Sequence, residues 1–303
     1  MNSEFNSGAR REALKTRRTS RRRVLLFALG CLCVVLLAEG IFFYIHQEYR
    51  FIIGEVIAGL DGPDVTLSET SFETATVDIS DFLADTRVEQ NDSMMLINTE
   101  HMLSEDYSPE IGEYKDSGVF MNTCITKAYA ELSQEVLSIY NEKLYVSSAY
   151  RTAAEQLETA AEEGDVAQKV GASEHQAGLG VDVYTMYHAG MAFLDGEPGR
   201  WVNRNCQNFG FIIRYPYNGK RDTGITYEPW HLRYVGHPHA EVIMSTNATL
   251  ESYISSLEPQ KFYSCNGYTV TRQAGPQLSV PKSFSSAVIS PDNCGYYIIT
   301  FSG

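Results

Sequence analysis

An α+β domain, preceded by one apolar membrane-length segment and followed by a small all-β appendage, is what this 303-residue chain predicts. Three observations carry that reading. Val24 to Ile45 is a 22-residue apolar run broken only by Glu39. Helical and strand-like patterns then mix between Met94 and Ser245 without strict βαβ repetition, and after Ser245 the composition shifts to Ser, Tyr, Val, Thr and Pro in short alternating runs. With 44% hydrophobic and 20% charged residues, the chain is long enough for one well-packed domain with smaller attachments, and it is not a disordered protein.

Charge separates the ends. Eight of the 24 Lys and Arg residues (Arg10, Arg11, Lys15, Arg17, Arg18, Arg21, Arg22, Arg23) and only Glu4 and Glu12 of the 38 acidic residues lie in residues 1–23, a tail of net +6. That leaves 16 basic and 36 acidic residues downstream, a net of −20, which speaks against nucleic acid as a partner. Basic residues just before an apolar span direct the N-terminus to the cytoplasm and everything after Ile45 outside. A cleaved signal peptide shares the basic-then-apolar order, but no small-x-small cleavage site is evident and the run is long for such a leader.

Residues 46–90, with Gly59, Gly62, Pro63 and a Thr/Ser/Asp/Glu-rich stretch, read as a stalk with little fixed structure. Residues 91–245 follow as the main domain. Ile125, Tyr129, Leu132, Val136 and Ile139 recur at three- and four-residue steps, predicting a helix ending near Asn141. Leu144–Ser148 reads as a short strand, Ala153 to about Val170 as a helix, Val181–Tyr184 as a strand with one polar face, and Phe209–Tyr215 and Thr226–Val235 as two more strands. Residues 246–303 form the β-rich module. Outside the apolar span lie Cys124, Cys206, Cys265 and Cys294, an even number in an oxidising compartment; Cys265 with Cys294 is the favoured disulfide, and no Cys-x-x-Cys supports a cysteine metal site.

A catalytic zinc site uses three ligands drawn from His, Asp and Glu and keeps a fourth position open. His175, Asp182 seven positions on, and His231, 49 residues after Asp182, offer such a set. Glu228 lies three before His231 with Pro229 between them, which places it in a loop beside the site rather than in line with the strand. Taken singly, each of these residues has an ordinary structural explanation as a hydrogen-bonded or paired group. His237 and His239 stand in reserve as ligands. Tyr227, Trp230 and Tyr234 read as packing residues, since they alternate as strand side chains do.

Four segments, Ser148-Ala149-Tyr150-Arg151-Thr152, Ser173-Glu174-His175-Gln176-Ala177-Gly178-Leu179-Gly180-Val181-Asp182, Phe209 to Pro216 and Tyr227 to Gly236, resemble in order and spacing the signature segments of VanY-type D-alanyl-D-alanine carboxypeptidases. These belong to the wider lysostaphin and D-Ala-D-Ala metallopeptidase family. The likeness runs from about Met94 to Gly236 and implies a central antiparallel sheet with flanking helices. It further implies Zn²⁺ held by His175, Asp182 and His231, Glu228 as catalytic base, and Arg151 in the substrate site with Ser148 beside it. Ser173 and Gln156 are read as pocket residues. The sequence departs from the family at Ala149 and Thr152, where Gly and Ser are common, at Gly180, where Ala is common, and at Leu232, where Phe is usual; none of these changes a reactive group.

The activity so implied is zinc-dependent D,D-carboxypeptidase action on peptidoglycan stem peptides, with the enzyme tethered to the membrane by its N-terminal helix. The alternatives are an L,D-carboxypeptidase acting on tetrapeptides and an inactive cell-wall-peptide binding module.

Overall fold

A computed structural model of the chain describes residues 2–58, 65–163 and 168–303. The chain divides into two units, Met1–Ile53 and Gly54–Gly303. In the first, helix α1 (Asn2–Ile45) contains the membrane-length stretch Val24–Ile45, with Val24, Phe27, Leu32 and Leu37 exposed. Helix α2 (Gln47–Ala58) follows. Gly59, Gly62 and Pro63 of the expected stalk, and residues 164–167 of the expected 153–170 helix, lie outside the described residues.

The second unit begins with β1 (Ser68–Thr70), β2 (Thr74–Asp78), α3 (Ile79–Leu83) and β3 (Val88–Gln90). The hairpin β4 (Ile111–Glu113) and β5 (Phe120–Asn122) leads into α4 (Thr123–Tyr140). Asn122 caps that helix by accepting from the Cys124 N–H, and Asn141 ends it in the left-handed conformation at φ 51°. Ile125, Tyr129, Leu132 and Val136 are buried as their spacing predicts. Ile139, counted in the same stripe, is exposed in the last turn.

Strand β6 (Tyr145–Ser148), helix α5 (Ala153–Glu163), strand β7 (Gly180–Tyr184), helix α6 (Glu197–Asn205), strand β8 (Phe211–Ile213), the one-turn α7 (Lys220–Thr223) and strand β9 (His231–Tyr234) complete the main domain. The four strands form an antiparallel sheet in the order β6-β7-β9-β8. This is the expected central sheet with flanking helices. The predicted strand over 226–235 is cut to four residues because Pro229 has no N–H to give a ladder, and the chain instead turns there, with the His231 N–H donating to the Glu228 carbonyl at 3.2 Å. Val181, Val183, Leu232, Phe211 and Ile213 face α4 and build the main core. The opposite face carries Asp182, His231, Arg233 and Ile212, as the period of two requires.

Helices α8 (His239–Ser245) and α9 (Leu250–Ser256) lead to β10 (Phe262–Cys265), β11 (Tyr268–Gln273), β12 (Gln277–Pro281), β13 (Ser286–Pro291) and β14 (Tyr297–Ser302). Two corrections to the sequence reading arise here. The 46–90 segment is not a featureless stalk: β1 pairs with β10, β3 with β13 and β2 with β12, giving a six-stranded sheet β1-β10-β11-β14-β13-β3 faced by the β2–β12 pair. The appendage is therefore built from both ends of the unit. Nor is there a Cys265–Cys294 bridge; both thiols are free. Cys265 lies opposite Tyr268, which pairs with Ser302, whereas Cys294 sits in the turn beyond Tyr297, which pairs with Gln273. Five strand positions at roughly 3.3 Å each separate those levels, far beyond the ~7 Å Cα limit of a disulfide.

The module is joined to the main domain through a shared core. Met94, Leu96, Ile212 and Val235 pack with Val242, Ile243, Leu250, Tyr253 and Ile254 of α8 and α9, and these with Val270 and Ile298 of the six-stranded sheet. At ~1.5–3 kcal/mol per buried apolar side chain, this junction rivals the whole net stability of a domain. A chain ending at Ser245 is therefore expected to show no cooperative thermal transition by circular dichroism; a transition close to that of the full chain would mean the module is dispensable.

His239 bridges the same junction, with Nδ1 2.7 Å from the Tyr253 hydroxyl and Nε2 2.7 Å from the Thr300 hydroxyl. It is a buried structural group, remote from the ligand role held in reserve for it. Burial, with a smaller contribution from His237, lowers its pKa to about 3. The fold thus holds His239 neutral while the unfolded chain protonates it below about 6.5, so its contribution to stability is complete above that pH and is lost as pH falls towards 3. The expected slope is ~1.4 kcal/mol per pH unit between 6 and 4, measured by urea denaturation, and His239→Gln should flatten it.

Candidate metal centre

Strand register assembles the site. Asp182 on β7 pairs with Ser148 on β6 and with His231 on β9, so the three stand in one row across the sheet. Arg214, whose N–H donates to the His231 carbonyl, extends that row just beyond β8. His175 arrives from a 3-10 turn, Glu174–Ala177, that ends at Gly178. Gly178 has φ +64°, and a Cβ there would come within 2.6 Å of the Asn122 nitrogen, so only glycine lets the turn close against β5.

The His175 Nδ1–H donates to the Ala149 carbonyl at 2.8 Å, which leaves Nε2 free, 3.3 Å from Asp182 Oδ2. His231 Nδ1 lies 2.8 Å from Asp182 Oδ1. One ligand atom from each of the three residues lies within 4.8 Å of the others, and His175 and His231 are buried. Burial opposes the Asp182 charge, but the two histidines outweigh it and hold the carboxyl well below its usual range. Burial likewise disfavours a charged His231, yet Asp182 and then Glu174 hold its pKa up to about 10.

The donor set fits a divalent metal. Tetrahedral bonds of about 2.0–2.1 Å put neighbouring ligand atoms roughly 3.3 Å apart, the separation already seen between His175 and Asp182. Two neutral imidazoles and one carboxylate suit zinc and leave one coordination position open.

Around these atoms is a cavity of about 250 Å³ lined by Arg151, Gln156, Ser173, Glu228, Tyr215 and Trp230, together with the three candidate ligands. Glu228 occupies the loop before β9, with Oε2 4.0 Å from His231 Nδ1. Arg151 donates from Nη1 to Gln156 Oε1 at 3.0 Å and from Nη2 to Ser148 Oγ at 2.9 Å. Gln156 is in turn anchored by donating to the Gln168 carbonyl. Ser148 does not line this cavity; it fixes the guanidinium from the groove alongside. Ser173 is buried at the cavity wall.

All eight sequence-derived site residues thus converge. Trp230, read as packing, packs against the main core and also lines the cavity, while Tyr234 packs against Gly210 and Tyr227 donates to Asn203. Sequence reasoning assigned nothing to Glu174, Arg214 and Arg233, all completely buried beneath the site, and nothing to Tyr215. An arginine closing the apolar run Phe211–Ile213, and another two residues past His231 on the same strand face, were the available signals.

A four-stranded antiparallel sheet bearing a His-Asp-His cluster, with a carboxylate and a guanidinium on the cavity rim, defines a hydrolytic metal-site architecture. Residues 119–237 match the model of the D-alanyl-D-alanine carboxypeptidase family, VanY. A D-alanyl-D-alanine carboxypeptidase of Enterococcus faecium is 31% identical over 199 residues, 62% of this chain and 64% of that protein. The bifunctional D-Ala-D-Ala dipeptidase and D-Ala-D-Ala carboxypeptidase VanXYC of Enterococcus gallinarum is 32% identical over 178 residues, 53% of this chain and 93% of that protein. The chain therefore spans just under two thirds of the first relative and nearly all of the second. Among solved structures, the vancomycin resistance D,D-dipeptidase VanXYg, in complex with a D-Ala-D-Ala phosphinate analog, superposes with a TM-score of 0.60 at 17% identity, over 77% of this chain and 100% of that one, a likeness of fold. This chain belongs to the VanY family of D-alanyl-D-alanine carboxypeptidases.

Proposed function

We propose that the chain is a zinc-dependent D,D-carboxypeptidase that removes the C-terminal D-Ala from peptidoglycan stem peptides. It acts outside the cytoplasm, with Val24–Ile45 as its membrane anchor and the basic tail on the cytoplasmic side. The observation that carries the reading is the meeting of His175, Asp182 and His231 with Glu228 and Arg151 around one small cavity in a chain of this family. His175 through Nε2, Asp182 and His231 through Nδ1 would hold the ion. When bound, zinc supplies Lewis-acid polarisation of the scissile carbonyl and acidifies water.

The remaining chemistry belongs to the chain. Glu228 accepts the proton of the attacking water and delivers it to the leaving amine. Arg151, always charged and fork-shaped, grips the terminal carboxylate, held in place by Ser148 and Gln156. Ser173 hydrogen-bonds the substrate from the cavity wall. The cavity, about 250 Å³, is smaller than the ~300 Å³ lower bound of ordinary ligand pockets, and it suits one small terminal residue.

The test is incubation of the purified full chain in detergent with pentapeptide and tetrapeptide separately, with zinc and with a chelator, following D-Ala release by mass spectrometry. Zinc-dependent release from pentapeptide alone supports the proposal. Release from tetrapeptide alone would make the enzyme an L,D-carboxypeptidase, and release from neither would leave a binding module. Arg151→Lys keeps the charge but loses the fork, and kcat/KM on pentapeptide is expected to fall ~10²-fold or more. Little further loss is expected on a C-terminally amidated pentapeptide, which offers the guanidinium no carboxylate and should itself be a poor substrate for the wild type.

A further inference from the structure

Glu174 is the residue before the candidate ligand His175, yet its side chain turns away from that histidine and towards the other one. It is fully buried. Oε1 accepts from Arg214 Nε at 2.6 Å and from Arg233 Nη1 at 2.7 Å. Oε2 makes no hydrogen bond and stands 3.6 Å from His231 Nε2, which is itself buried and without a hydrogen-bond partner. The two orphaned atoms face each other across a gap slightly longer than an ordinary hydrogen bond. The strand beneath leaves room for that approach, since a Cβ on Gly180 would lie 2.9 Å from His231 Nε2 and 3.4 Å from Glu174 Cβ.

The carboxylate cannot swing away. Arg214 is clamped from its far side by both oxygens of Glu251, at 2.9 and 2.7 Å. Arg233 is tied by donation to the carbonyls of Ser93, Met95 and Tyr234. Both arginines donate to Oε1, which leaves Oε2 as the oxygen that can accept from the histidine. A fixed acceptor on one ring nitrogen of a metal-binding histidine commits the other nitrogen to the metal.

We infer that Glu174 is a positioning residue for the metal centre, taking the Nε2–H of His231 so that Nδ1 is presented beside Asp182. This rests on the zinc-site reading above. Arg214 and Arg233 act one step further out by fixing Glu174.

The test measures the zinc dissociation constant of the full chain in detergent by competition with a chromophoric chelator, for wild type, Glu174→Gln and Asp85→Asn. Glu174→Gln is expected to weaken zinc binding by ~10–100-fold. Asp85→Asn removes an arginine-paired carboxylate that lines no part of the cavity, and its affinity should stay within about threefold of wild type, well short of that loss. Unchanged affinity in Glu174→Gln, or equal losses in both variants, would overturn the inference and leave Glu174 as charge balance. A wild-type chain that binds no zinc would instead overturn the site reading, and this inference with it. Should Glu174→Gln fail to fold, ¹⁵N NMR of His231 in zinc-loaded wild type decides, with the proton expected on Nε2. A proton on Nδ1 contradicts the inference.

Discussion

Glu228→Gln is expected to lower kcat on pentapeptide by ~10²–10⁴-fold while zinc content and melting temperature stay at wild-type values. Glutamine has the same shape and still fits a loop held by donation of the residue-228 N–H to the Tyr215 carbonyl. What it lacks is a site to receive a proton. Because Glu228 stands on the rim, partly exposed, with no place among the clustered donor atoms, its replacement leaves the cation site whole. KM should change little, since Arg151 and the cavity wall still bind the substrate. Steady-state kinetics with metal analysis on the same sample checks this. A fall in kcat that merely tracks lost zinc would make Glu228 a ligand rather than a base.

Arg233→Met is expected to cost ~3–5 kcal/mol, a fall in melting temperature of about 10 °C or more by circular dichroism. Arg233 is completely buried and donates to Glu174 and to three backbone carbonyls. Methionine fills much of the volume but satisfies none of those acceptors, and it leaves the Glu174 charge with Arg214 as its remaining arginine partner. Breaking one partner from a buried network is far costlier than never having built it. A shift of only a degree or two would show that water or relaxation replaces the bonds.

How far these features were legible in the sequence differs by element. His175, Asp182, His231 and Glu228 could be singled out because their residue types and the Pro229 turn carry chemistry in themselves. The row Ser148–Asp182–His231 could not be seen, because cross-strand register links residues 34 and 49 positions apart and no local spacing encodes it. For the same reason Glu174 passed without a role beside a conspicuous histidine: its partners are Arg214 and Arg233, on two other strand segments. Strands β1 to β3 read as stalk in the sequence because three to five residues are too few to display alternation, and their partners lie about 200 positions away. Helix α4, long and strongly periodic, ends at Tyr140, within a residue of the end near Asn141 that its spacing predicts.

The most direct test of the account is zinc stoichiometry, measured by inductively coupled plasma mass spectrometry on the purified full chain and on a variant carrying His175→Ala, Asp182→Ala and His231→Ala. One zinc per chain in the wild type and none in the variant, with both folded by circular dichroism, is the result the account predicts. A folded wild type without metal, or a triple variant that keeps its zinc, would contradict it.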